Sequence, residues 1–115
     1  MNDQAVEAMA LLATEWFKAA RRRMRIIHEV APTRMEREHA QLTYSFRRVM
    51  QALADNGMRI QDFAGQQYSP SLPVEPVNPE DFDNEEGLVI DETVEPTVLH
   101  EGRLILRGRV VLAKG

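Results

Sequence analysis

Two apolar seams separated by a proline constrain this chain more than any other feature. Val6, Ala10, Ala13, Phe17, Ala20, Met24 and Ile27 are spaced 4-3-4-3-4-3, and Met35, His39, Leu42, Phe46, Val49 and Leu53 repeat 4-3-4-3-4. That spacing keeps one stripe on one side of an α-helix and fits no strand. The first helix is predicted over about Asn2 to Glu29 and the second from Arg34 to about Asn56. Pro32 ends the first, because the residue before a proline is pushed out of the α region. Thr33 with Glu36 forms a capping box, and Asn56-Gly57 supplies a helix stop, with Gly at the left-handed position. So short a connection predicts an antiparallel hairpin. Met9, Leu11, Leu12 and Trp16 widen the first seam and Met50 flanks the second, so the hairpin carries more apolar surface than it covers. Pairing with a second copy, as a homodimeric four-helix bundle, is therefore expected. Phe17, Met24, Leu42, Phe46, Val49 and Leu53 are the residues expected at that dimer seam.

The composition changes after the helices. Pro70, Pro73, Pro76 and Pro79 recur every three residues, the period of a polyproline II ridge. Between Gln66 and Gly87 there are six acidic residues and no basic one. Residues 58–87 are expected to be an extended, acidic connector with short edge strands around 72–77. The ridge fits a semi-rigid connector or a ligand for a proline-recognition domain. Residues 88–115 read as strands. Leu88-Val89-Ile90 and Val94 suggest one, and Pro96 marks an edge or a bend. After a turn at Glu101-Gly102, the chain alternates to Leu112. That alternation places Leu104, Leu106, Val110 and Leu112 on a packed face, with Ile105, Arg107, Arg109 and Val111 on a wet one. The expected fold class is α+β: a helical hairpin over 1–57, a connector over 58–87 and a small β head completed by 88–115.

At 115 residues the chain is one domain, or two small modules sharing a core. The net charge of -4 hides an asymmetry: residues 1–50 carry nine Lys/Arg against six Asp/Glu, and residues 51–115 carry five against twelve. There is no Cys, which excludes disulfides and thiolate metal sites. No apolar run approaches a membrane span and no signal-peptide core opens the chain, so a soluble, cytoplasmic protein is expected, with no membrane partner.

Arg21-Arg22-Arg23-Met24-Arg25 raises nucleic-acid binding. These four arginines spread over more than half of the helix circumference, however, and the acidic second half opposes a phosphate-binding surface. A solvated or partner-facing helix side fits them better. Asp81, Asp83, Glu85 and Glu86 lack the Gly that a calcium loop needs at its sixth position, so a solvated acidic loop is expected. His28, His39 and His100 have no metal-ligand spacing. No nucleophile elbow, phosphate loop or convergent acid–base set is present. The reading is of a non-enzyme with no cofactor and no metal.

Taken in order, the second half resembles the head of GrpE-type nucleotide exchange factors, which act on DnaK-like ATPase chaperones. Leu53 followed by Asn56-Gly57-Met58-Arg59-Ile60 resembles that family's helix end. Gly65-Gln66-Gln67-Tyr68-Ser69-Pro70 is similar to its Gly-x-x-aromatic-x-Pro step. Gly87-Leu88-Val89-Ile90 and Val94 resemble the strand before the signature, and Gly102-Arg103-Leu104-Ile105-Leu106-Arg107 its Gly-Arg-Val-Leu-Arg run. Pro73-Val74-Glu75 stands where the family has His-Glu-Ala after its proline, and Gly108-Arg109 where it continues Pro-Ala. The first helix is also short for the family. The resemblance covers roughly residues 34–115. It implies a homodimer whose β head binds the nucleotide domain of a DnaK-like ATPase and speeds ADP release. It places Arg103 at a contact with the ATPase, and Val94 and Leu112 at apolar contact positions. The outward face predicted for Arg107 and Arg109 adds them to the set. The alternative for Arg103 is an arginine that stabilises its own turn. The alternatives for the whole chain are a structural adaptor that keeps the fold without exchange activity, and a small nucleic-acid-binding dimer.

Overall fold

A computed structural model describes residues 2–30 and 35–115. Helix α1 runs Asp3–Val30 and α2 runs Met35–Asp55. They are followed by β1 (Met58–Gln61), β2 (Val74–Pro76), a 3-10 turn (Pro79–Asp81), β3 (Leu88–Glu95), β4 (Thr97–His100), β5 (Arg103–Leu106) and β6 (Gly108–Lys114). The expected α+β class and the order of helices, then β head, are observed. No described helix is long and apolar enough to cross a membrane. The proposed stop at Pro32 and the cap at Thr33 lie outside the described residues.

Both helices form where their seams place them. At the start of α1, the Asn2 side chain accepts a hydrogen bond from the Ala5 N–H at 2.8 Å, satisfying one of the orphan donors of the first turn. At the end of α2, Gly57 takes φ 76°, and its N–H donates to the Ala54 carbonyl at 2.9 Å. The helices run antiparallel. Trp16 meets Phe46 with ring centroids 5.4 Å apart, and Arg23 pairs with Glu38 at 3.1 Å. At about 1.5 Å per residue α1 is about 42 Å long, comparable to the longer dimensions of the 44 × 42 × 17 Å molecule.

The strands form two three-stranded sheets, in the orders β1-β4-β5 and β2-β6-β3. The first is antiparallel throughout, while the second pairs β2 parallel and β3 antiparallel to β6. Each sheet has its own core. Val6, Ala10, Ala13 and Phe17 of α1 and Leu53 of α2 close on Met58, Ile60 and Val98 of the first sheet. Ala10 and Ala13 are almost fully buried, and their small side chains let α1 lie close against the strands. Val74, Leu88, Ile90, Val110 and Leu112 form the second core, with Phe63, Tyr68, Leu72 and Phe82 packed around it. At about 1.5–3 kcal/mol for each large aliphatic or aromatic side chain removed from water, these two clusters are the main favourable contribution to folding.

The sheets meet at one corner. Pro96 separates β3 from β4, and one residue, Arg107, separates β5 from β6. The Thr97 hydroxyl donates to the Pro73 carbonyl at 2.8 Å and accepts the Gly108 N–H at 3.2 Å. The Asn78 side chain continues the second sheet past β2: its amide donates to the Leu112 carbonyl at 3.0 Å and its oxygen accepts the Leu112 N–H at 2.9 Å.

Two expectations for the C-terminal half need correction. The alternating run is not one strand but two, in different sheets. Val110 and Leu112 are buried as expected, whereas Leu104 and Leu106 are 43% and 38% exposed. The register of β4 against β5 shifts so that Ile105 is the extra residue on β5. Ile105 packs on the first core, leaving its two leucine neighbours outward. Residues 58–87 are also more than a connector, because β1 contributes Met58 and Ile60 to the first core.

Two glycine variants separate close packing from backbone conformation. A Cβ on Gly108 would lie 3.0 Å from the Thr97 nitrogen and 3.1 Å from the Glu95 carbonyl. The Thr97 hydroxyl is nearer still, at 2.5 Å, so Gly108→Ala should cost about 1–3 kcal/mol in urea unfolding, since it displaces that hydroxyl and presses on the backbone behind it. Gly102 has φ 78° with open space around it. Gly102→Ala should cost about 1 kcal/mol, from the left-handed conformation alone.

Candidate partner interface

Arg103 stands at the start of β5, directly after a two-residue hairpin turn. Glu101 and Gly102 take φ 50° and 78°, the positive values that a primed turn requires at both central positions. The Glu101 N–H donates to the Gly57 carbonyl at 2.9 Å, which ties the turn to the end of α2. Arg103 is exposed, and among the described residues its guanidinium makes no hydrogen bond or ion pair. The turn is held by backbone and by glycine, not by Arg103.

The other expected contacts divide into three situations. Arg107 is exposed in the link between β5 and β6, also without an ion pair among the described residues. Arg109 is exposed on β6 but faces Glu95 of β3, with 3.8 Å between charged atoms. Val94 is half-buried in a groove between α1 and β3. Leu112 is a correction: at 2% exposure it is part of the second core and presents nothing to a partner. It lies on the inner face of β6, beside Val74, Leu88, Ile90 and Val110.

The dimer-seam set divides as well. Phe17 and Leu53 are 4% and 7% exposed and belong to the core of a single chain. Phe46 and Val49 are half-buried against that core. Met24 and Leu42 line a mostly apolar groove of about 200 Å³ between the helices, with Ala20, Thr43 and Phe46. The seam turned inward because the helices meet the first sheet as well as each other. The apolar side chains left outside are others: Leu11 at 59%, Leu12 at 71%, Ile26 at 50% and Tyr44 at 63% exposed. His39, also placed on the seam, is exposed.

The basic run of α1 has a role that its own four arginines do not disclose. Adding Lys18 gives 18, 21, 22 and 25, an i, i+3, i+4, i+7 set within about 100° of the helix circumference. These side chains wall the groove of about 460 Å³ that faces Val94. Lys18 donates to Glu15 at 3.0 Å and to Glu95 at 3.3 Å. Arg21 donates to Asp62 at 3.4 Å and to the Thr93 carbonyl at 3.3 Å, while the Thr93 hydroxyl holds Asp62 at 2.6 Å. Arg25 donates to Glu92 at 3.1 Å. Arg23 points the other way, to Glu38 on α2. Most of the basic run is thus engaged by carboxylates of this chain. Exposed pairs of this kind contribute about 0–1 kcal/mol each, so their effect is to set orientation more than stability.

Lys18 titrates above the usual lysine range. Its hydrogen bond to Glu15 is the larger cause, the hydrogen bond to Glu95 comes next, and partial desolvation opposes both. The raised value belongs to the folded state. The pairing is therefore fully present below the ordinary lysine value and is lost as pH rises through the folded one. Following the Lys18 side-chain resonances against pH, Glu15→Gln should lower the midpoint and Glu95→Gln should lower it less. An unchanged midpoint in both variants would show that neither pair persists in solution.

The described residues thus offer one exposed basic surface on β5 and a second, largely neutralised groove at β3. Comparison of the chain with protein-family models, curated proteins and solved structures gave no match.

Proposed function

We propose that this chain is a GrpE-like nucleotide exchange factor that binds the nucleotide domain of a DnaK-like ATPase chaperone through its β head and promotes ADP release. The observation that carries the reading is Arg103. It is the arginine of the Gly-Arg step, it stands exposed at a hairpin tip, and no group among the described residues engages it. The helix pair followed by a β head agrees with the architecture that the sequence motifs imply. Exchange needs no catalytic group. A factor that binds the open cleft of the ATPase more tightly than the closed one shifts the population toward the open form, by no more than that difference in affinity. Arg103 and Arg107 supply charge for this contact, and Val94, in the groove between α1 and β3, supplies a separate apolar surface.

The active form in this reading is a homodimer, with the helical hairpins of two copies forming a four-helix bundle. Leu12 and Trp16 lie one helical turn apart, and Trp16 meets Phe46 with its ring tilted by 41°. A second hairpin laid over this face would cover Leu12, whose exposure in one copy is 71%. Leu12→Glu should yield a folded monomer in sedimentation equilibrium, with the helical circular dichroism retained. A variant that remains dimeric would refute the face.

A second reading, a structural adaptor with the same fold and no exchange activity, is favoured by one observation. Two of the five expected head contacts are spent within the chain, Arg109 on Glu95 and Leu112 in the core. Stopped-flow release of labelled ADP from DnaK-like ATPases separates the two. The exchange factor should accelerate release by roughly 5- to 150-fold, the range of ordinary coupling energies, and Arg103→Glu should remove most of that acceleration. Unchanged release with a stable complex retained would favour the adaptor.

A further inference from the structure

We propose that two copies of this chain pair antiparallel along the outward side of α1, about a two-fold axis close to Ala19. Besides the stripe it buries, α1 carries a second one. At about 100° per residue, Ala8, Leu12, Ala19 and Ile26 fall within about 40° of one another, on the side opposite the fully buried Ala10. All four are exposed, Leu12 at 71% and Ile26 at 50%. Leu12, Ala19 and Ile26 repeat at heptad spacing, so the stripe stays on one side over several turns, as a helix partner requires. From Ala8 to Ile26 it is roughly 27 Å long. Its two alanines let a second helix approach closely, and Leu12 and Ile26 supply the apolar area that drives association.

Two charges beside this stripe select a second copy and its direction. Glu15 and Arg22 are exposed on the same flank, either side of the stripe's centre near Ala19. Among the described residues Arg22 makes no ion pair, and Glu15 meets only Lys18 of its own helix, which leaves its side chain 57% exposed. A parallel copy would set Glu15 against Glu15 and Arg22 against Arg22. An antiparallel copy reverses the order. With the axis close to Ala19, Glu15 of each copy lies within about one turn of Arg22 of the other, and Leu12 falls against Ile26. The neighbouring cations are already paired within the chain: Arg23 with Glu38, Lys18 with Glu95, and Arg25 with Glu92. An apolar face with one charge of each sign about its centre is complementary to itself. The inference deepens the homodimer reading and rests on it, adding the helix that makes the contact and the direction in which it runs.

Sedimentation equilibrium of the full chain should show a dimer. Glu15→Arg and Arg22→Glu should each weaken it roughly tenfold or more, because each brings like charges together at both symmetric contacts. The double variant, in which the signs are exchanged, should recover most of that loss. Helical circular dichroism should be retained in all three, since both positions are exposed. The chain has no Cys, so introduced ones report direction. On oxidation, Leu12→Cys mixed with Ile26→Cys should give a mixed disulfide dimer. Leu12→Cys alone should not link to itself, because its two copies lie roughly 20 Å apart in the antiparallel pair, far beyond disulfide reach. The proposal is overturned by a chain that sediments as a monomer, by self-linking of Leu12→Cys, or by a double variant no tighter than the singles. ADP release accelerated by a monomer would remove the pairing and leave the exchange function standing. A cross-linked antiparallel dimer that leaves release unchanged would do the reverse.

Discussion

The hydroxyl of Thr97 holds the head together. It donates to Pro73 ahead of β2 and accepts from Gly108 at the start of β6, while its own backbone begins β4. Three segments distant in sequence therefore converge on one buried oxygen. Both passages between the sheets, at Pro96 and at Arg107-Gly108, lie beside it. A buried hydroxyl is costly unless it is hydrogen-bonded, and here both its donor and an acceptor position are used. The same corner explains why residue 108 is glycine, since any side chain there would meet the backbone of Glu95 and Thr97.

Helix α1 joins the two halves of the head by different physics. Its N-terminal half meets the first sheet through Val6, Ala10, Ala13 and Phe17. Its C-terminal half meets β3 through Lys18, Arg21 and Arg25, each engaging a carboxylate of the head. Apolar burial is insensitive to direction but strong, and ion pairing is weak but directional. The first fixes the helix on the sheet, and the second sets which side of it faces Val94. The arginine run that raises nucleic-acid binding in the bare sequence is accounted for mainly by this contact.

The helices were legible because their apolar period extends over many turns, and because Asn56-Gly57 marks a stop that few other structures use. The partner of the seam was not legible. A 4-3 repeat reports that a helix has a buried side, and says nothing of whether a helix or a sheet covers it. The repeat alone therefore cannot distinguish a dimer seam at Phe17 and Leu53 from the single-chain core that they occupy. The strand pair at 103–114 is not legible as two strands because alternation is counted from a phase. The extra residue Ile105 and the corner at Gly108 each reset that phase; the first leaves no local signature, and the second leaves only the glycine itself. Leu112 is a case of the same kind: the resemblance implies a contact there, but a resemblance in sequence does not determine exposure. The stripe of Lys18, Arg21, Arg22 and Arg25 was readable in principle, had the helical spacing been extended one turn before the arginines. Arg103 was the opposite case. Its flanking glycine announced a turn, and its exposed, unengaged guanidinium is what the turn presents.

Among the described residues the two cores share none. A chain of this size ordinarily gains cooperativity by drawing every element into one interior, and here the covalent links and the Thr97 hydrogen bonds replace part of that common interior. Local opening then has a natural boundary: the second sheet can come apart as a unit while the helices and the first sheet remain closed. Arg103 belongs to the part that would stay folded, and Val94 and Arg109 to the part that would open. The exposed basic surface of β5 and the neutralised groove at β3 are thus anchored to bodies of different persistence, so that one keeps its shape while the other rearranges.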